Sequence, residues 1–307
     1  TTDMVFEFPE LQGTMGGVYA KAEGEPEQVW KAIYYQYLPI GVEADAPPTR
    51  QQLGTAAVTW AALSLADKLD TFVSLSSAGE KATGSRDPFA LRRQVQGAVR
   101  ILMDLPELTG IDREISLNAL LAEAGGSAGP AWSGDLARAA GAFAIERVRY
   151  ALEQRQVPIE VARAATAHAD VRPLRARRMA DALQAVRASE DFQALAILFK
   201  RVKNISRELK EQVPLDRSVL VEPAEQALLA ELDARRPRVE QAAAAHDYKK
   251  AFTEIAALRA AVDRFFTDVF VMADDARLRT ARLTLMADLR DLILDLADIS
   301  EIVPQTE

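Results

Sequence analysis

The 307-residue chain contains no cysteine and only two histidines, His168 and His246. The first absence excludes a disulfide framework and thiolate chemistry, and it is compatible with a reducing cytosol. The second leaves too few imidazoles for a metal-dependent hydrolase that needs several of them around one centre. Both histidines lie in polar, helix-like segments and are expected on the surface. Aromatic residues make up only 7% of the chain. With short β-branched runs and abundant alanine and leucine, helix is favoured over strand. No apolar run reaches the roughly 20 residues of a membrane span, and no secretory signal peptide opens the chain. Position 1 is Thr rather than Met, which reads as a piece cut from a longer chain. A Ser/His/Asp arrangement, a phosphate-binding glycine loop and a dinucleotide fingerprint are all missing. No catalytic residue and no metal ligand is therefore assigned.

What is present is an uneven distribution of charge. The net charge of −8 should keep a polyanion away from most of the surface. Two segments run the other way. Lys81–Arg100 holds five basic residues (Lys81, Arg86, Arg92, Arg93, Arg100) and one acid, Asp87. Arg172–Lys210 holds ten basic residues and four acids. Such clusters suit phosphate contacts, in which each Lys or Arg releases counterions.

Local cues place both segments on helices. Asp87-Pro88 predicts a helix start, with a carboxylate at the N-cap and a proline at the first helical position. Arg92 and Arg93 are neighbours on that helix and cannot both face a core. The plain alternative is an ion pair of one of them with Asp67 or Asp70 and simple solvation of the other. Lys200, Arg201 and Lys203 follow the apolar run Leu195–Phe199 and precede Asn204, whose amide can read a base edge. No stacking aromatic is evident beside them. Their alternative is a role in helix packing.

The length predicts two domains. Pro26 opens a helix that Leu38-Pro39 ends, and Ser133 starts a long one reaching about Arg155. Gly125–Pro130 reads as a linker or a loop, and Asp170–Pro173 as a domain boundary. Near the C-terminus, Leu278, Leu285, Leu292 and Ile299, with Leu289 and Leu296 between them, predict one apolar face of a single helix.

Several ordered motifs carry a family resemblance. Ala66–Thr71 reads ADKLDT, followed by a turn with Gly79, then TGSRDPFALRR over Thr83–Arg93 and a following Gly97. Upstream stand Phe6-Glu7-Phe8, Leu11-Gln12-Gly13 and Met15-Gly16. Downstream come Lys200-Arg201-Val202-Lys203-Asn204-Ile205, Phe265-Phe266 through Val271-Met272, Asp275, Arg279, Arg282-Leu283 and Ala297-Asp298-Ile299-Ser300. This set resembles the β-subunit of bacterial glycyl-tRNA synthetase, in its C-terminal part. The sequence departs from the family pattern at Ser77 and Ala78 (Gly-Ile), Ala82 (Pro) and Arg86 (Lys).

The resemblance implies an all-α fold of two helical domains. Residues 1–125 would form a partial, N-terminally truncated HD-like helical domain, and 126–170 a helical linker. Residues 171–307 would form a helical-bundle anticodon-binding domain of the class shared with arginyl-tRNA synthetase. The implied role is recognition and positioning of tRNA(Gly) for ATP-dependent glycylation at the α-subunit. The contacts would run through Lys81, Arg86, Arg92, Arg93, Lys200, Arg201, Lys203 and Asn204. Partners would be tRNA(Gly) and the α-subunit in a heterotetramer, in the cytoplasm, with neither membrane nor DNA. This stretch would hold no cofactor, ATP and Mg belonging to the whole enzyme. The alternatives are an HD-type phosphohydrolase, which the scarcity of histidine opposes, and a helical scaffold without an RNA role. Asp67 and Asp70 are expected to brace a turn rather than to bind metal.

Overall fold

The computed structural model describes residues 3–43, 48–80, 87 and 89–302. Among them are sixteen α-helices and no β-strand, as the all-α expectation requires. The chain folds as two compact units, one of Thr1–Gln156 with Ala169–Ala176, the other of Val157–His168 with Arg177–Glu307.

The first unit begins with α1 (Asp3–Glu7), which buries no residue. Helices α2 (Thr14–Ala22) and α3 (Glu27–Tyr35) pack closely. Gly17 permits this, since a Cβ there would stand 2.8 Å from the Tyr34 Cα. A capping box of Thr49 and Gln52 starts α4 (Arg50–Leu53). The long α5 (Ala57–Ser77) is central to this unit. Its Trp60 is fully buried among Ala32, Leu53, Ile101, Leu105 and Leu108, and its indole N–H donates to the Tyr35 carbonyl at 3.0 Å.

Helix α6 (Leu91–Met103) starts later than Asp87-Pro88 predicts. The Asp87 carboxylate still caps it, accepting from the Leu91 and Arg92 N–H groups at 2.7 and 3.0 Å. It does so across a tight turn in which Ala90 takes a left-handed φ of 57°. Pro88 lies outside the described residues.

Asp67 and Asp70 are expected to brace the turn through Lys68 or neighbouring backbone N–H groups, and Lys68 is itself a brace. Lys68 is buried, and its ammonium donates to the Gln36 and Tyr37 carbonyls at 3.4 and 3.2 Å. Burial lowers its pKa to about 8, against the small opposing pull of Asp67. Gly97 of α6 lies against this side chain; a Cβ there would stand 2.5 Å from both Lys68 Cε and the Pro39 carbonyl oxygen.

Helix α7 (Leu105–Thr109) is short, and Ser116 caps α8 (Leu117–Ala128). Where a linker or loop was expected, α8 runs on through Gly125 and Gly126. Gly125 serves close packing there, since the Trp132 ring occupies the space that a side chain would need. Ser133 then caps α9 (Gly134–Glu153), whose Phe143 ring stacks on Phe72.

The second unit contains α10 (Ile159–Ala165), α11 (Pro173–Val186) from Arg177 onward, and α12 (Glu190–Ser206). It continues with α13 (Pro223–Ala244), α14 (Tyr248–Ala256), α15 (Arg259–Asp268) and α16 (Ala276–Leu294). Helix α12 buries Phe192, Leu195, Ala196, Phe199 and Val202, at the three- and four-residue spacing of one helix face, and packs on α16 and α15. Every residue from Ala281 to Ala287 of α16 is buried. The heptad series is shared between elements. Leu285, Leu289 and Leu292 lie on α16, which stops at Leu294. Leu296 and Ile299 enter the core from the turn beyond, where the Asp298 N–H donates to the Ala164 carbonyl at 3.1 Å.

A buried ion network fixes the loop between α15 and α16. The Arg282 guanidinium reaches Glu225 and Glu222, each at 2.6 Å, and donates to the Phe270 carbonyl at 2.8 Å. Arg282 and Glu225 are both buried, so each satisfies a charge that would otherwise be stranded in a low-dielectric interior.

Candidate nucleic-acid interface

The excess of positive charge over Arg172–Lys210 is a count along the sequence, and folding changes it. Carboxylates from outside the segment come to it. Arg172 pairs with Asp170 at 2.5 Å, and Arg187 with Glu160 at 3.0 Å. Lys203 pairs with Asp298 and donates to Ser300 Oγ at 3.0 Å. Arg175, Arg177 and Arg178 also have partners.

Lys200 and Arg201 are different. Both are exposed, and neither has a carboxylate partner among the described residues. The Arg201 guanidinium lies over the Phe266 ring, 4.2 Å from its centroid. That stacking holds the planar cation in place while leaving its hydrogen-bonding edge free for an anion.

Ile197, Lys200, Arg201 and Asn204 recur at helical spacing and form an outward stripe on α12. Together with Glu208 and Met272 they line an open groove of about 670 Å³. Asn204 is exposed, and its side-chain oxygen accepts a long hydrogen bond from Arg207 at 3.4 Å. The groove therefore combines two exposed cations, one amide, one carboxylate and apolar walls. That set can bind a phosphate-bearing strand and contact base edges and faces. It contains no nucleophile or general base held by an orienting partner, so it suits binding rather than bond-making.

Lys203 belongs to the same block but not to the same surface. It is half-buried and faces Asp298. Of the four residues expected here, the fold therefore brings Lys200, Arg201 and Asn204 together and turns Lys203 inward.

Two aromatics that the sequence reading did not assign to the site are Phe266 and Phe270. Phe266 supports Arg201, as described. Phe270 is 75% exposed, between the buried Val269 and Val271. Its visibility in the sequence was low because it stands some 70 positions from α12.

In the first basic segment, Lys81 and Arg86 lie outside the described residues. Arg92 is half-buried and Arg93 exposed. The expected ion pair with Asp67 or Asp70 is not formed by either of them among the described residues. Arg100 takes the inward place instead, buried and paired with Asp104 at 2.5 Å. Arg155 of the same unit reaches the same carboxylate at 2.6 Å.

His168 and His246 are both exposed. Among the described residues no three His, Asp or Glu side chains gather as a metal site, and no helix is long and apolar enough to cross a membrane.

Comparison with known proteins adds a lineage to this geometry. The family model described as glycyl-tRNA synthetase beta subunit matches residues 1–167. The model of the DALR anticodon binding domain matches residues 196–303, which contain the groove on α12. A protein of Pseudomonas aeruginosa called glycine–tRNA ligase beta subunit is 40% identical over 307 residues, covering 97% of this chain. Proteins with the same name from Acidobacterium capsulatum and Acinetobacter baumannii are also 40% identical, over 99% and 98% of this chain. In each case the match covers 42% of the relative's own length.

Proposed function

The chain belongs to the glycyl-tRNA synthetase β-subunit family, and from that premise we propose that it is the tRNA-binding C-terminal portion of such a subunit. It recognises and positions tRNA(Gly) for glycylation with ATP, the bond-making being done by the α-subunit. ATP and Mg belong to the whole enzyme, and the setting is the cytoplasm.

One observation carries this reading. Lys200, Arg201 and Asn204 share an exposed groove, without competing carboxylate partners for the two cations, inside the segment that matches an anticodon-binding domain. Lys81, Arg86, Arg92 and Arg93 supply a second contact in this proposal, with Arg92 and Arg93 the members whose placement supports it. Asp298 neutralises Lys203, so Lys203 contributes by holding α12 in place. A phosphohydrolase of the HD type and a scaffold without an RNA role draw no support from the family matches.

The test is charge reversal at the groove alone, with Lys200→Glu and Arg201→Glu combined. Binding of a tRNA(Gly) transcript is measured over a series of KCl concentrations. The variant should bind at least tenfold more weakly, and its log–log salt slope should fall by roughly one to two. Circular dichroism should be unchanged, because both side chains are exposed. A folded variant with unaltered affinity and slope would overturn the assignment.

A further inference from the structure

The groove on α12 has an apolar side that charge alone does not explain. From Val269 to Met272 the chain alternates inward and outward. Val269 and Val271 are buried, at 5% and 4% exposure, whereas Phe270 and Met272 are 75% and 38% exposed. Phe270 stands in the chain between two residues tied to the groove: Phe266, four positions back, lies under the Arg201 guanidinium, and Met272 is two positions on. Met272 itself lines the groove together with Lys200, Arg201 and Asn204.

An exposed phenylalanine is ordinarily held loosely, but this one has a fixed backbone. Its carbonyl accepts from Arg282, which is locked by Glu225 and Glu222 in the interior. The next turn of the loop is also fixed, since Arg279 donates to the Ala273 carbonyl at 2.9 Å. The two flanking valines anchor the segment in the core. A large flat apolar surface is thus presented to solvent at little ordering cost, on the loop whose Met272 lines the groove with the two cations. Neither the buried network nor the valines require an aromatic ring at position 270, since its side chain touches water instead of the core.

We propose that Phe270 is a stacking platform for one unpaired base of the bound RNA strand. Lys200 and Arg201 hold the phosphates, Asn204 meets a base edge, and the ring takes a base face. This rests on the tRNA-binding reading above and adds to it a residue that discriminates single-stranded from paired RNA, because only an unstacked base can lie on the ring.

The experiment compares the 307-residue chain with Phe270→Ala and Phe270→Trp. The probes are a tRNA(Gly) transcript and a blunt RNA duplex of similar length. Loss of one stacking contact should weaken tRNA binding roughly ten- to one-hundredfold in Phe270→Ala. The salt slope should stay that of the wild type, since no charge is altered. Duplex binding should not change. Phe270→Trp should bind tRNA like the wild type, and its added indole fluorescence should be quenched by tRNA but not by the duplex. Unchanged tRNA affinity in Phe270→Ala, while the Lys200→Glu/Arg201→Glu variant is still impaired, would overturn the stacking role alone. Equal losses for tRNA and duplex would overturn it as well. Failure of the wild-type chain to prefer tRNA over the duplex would instead overturn the reading beneath it.

Discussion

Helices α6 and α12 carry the two basic clusters of the chain, and folding treats them alike in one respect and differently in another. Each turns one cation inward to a carboxylate of its own unit. Arg100 of α6 meets Asp104, which Arg155 also reaches, and Lys203 of α12 meets Asp298. Each leaves neighbours facing out, Arg92 and Arg93 on the first, Lys200 and Arg201 on the second. The difference lies in what surrounds the outward pair. On α12 the cations sit beside an amide and the apolar side chains of Ile197 and Met272, and one of them is stacked on Phe266. A cluster of positive charge is common to both helices. A surface with both charge and flat apolar faces is what single-stranded RNA requires, and α12 provides it.

The sharpest way to break this comparison is to remove the carboxylate that both arginines of the first unit share. In Asp104→Ala, Arg100 and Arg155 keep side chains that are only 6% and 19% exposed and lose the carboxylate they share. Stability by urea unfolding should fall by about 3–5 kcal/mol. A loss near zero would mean that water already compensates these cations, and the division into inward and outward residues would fail for α6.

Lys203→Met should have a smaller effect of the same kind. Asp298 keeps its hydrogen bonds from the Ser300 N–H and hydroxyl at 3.2 and 2.6 Å, so the cost should be about 1–3 kcal/mol. The salt slope of tRNA binding should not move. A reduced slope with unchanged stability would place Lys203 on the RNA side and merge it with Lys200 and Arg201.

The smallest effect should come from Arg92→Glu combined with Arg93→Glu. As a second contact, the pair should weaken tRNA binding by roughly tenfold or less, with little change in stability. If this variant were impaired more than Lys200→Glu/Arg201→Glu, the ranking of the two helices would be reversed.

Much of the fold was legible before any coordinates. Ser133 caps the helix that follows it, Pro26 opens α3, and the scarcity of β-branched and aromatic runs announced an all-helical chain. The errors were of short range. Helix α6 starts at Leu91 because Asp87 caps from across a turn. Helix α8 continues through Gly125, whose lack of a side chain leaves the space that Trp132 fills. The groove was legible only in outline: Lys200, Arg201 and Asn204 could be placed together on a helix, but the pairing of Lys203 with Asp298 could not.

The sequence by itself determined the helical class, a few helix starts such as those at Pro26 and Ser133, and the family to which the chain belongs, because these depend on residues within a few positions of one another or on ordered motifs. The tertiary structure decided which cations face solvent and which face a carboxylate. That choice depends on pairs such as Lys203 with Asp298 and Arg155 with Asp104, which lie 95 and 51 positions apart. It also decided that Phe270 stands in solvent, since Arg282 and its two glutamates hold that backbone from the interior. A charge written in the sequence becomes a binding group only where folding brings it no partner, and no local rule contains that information.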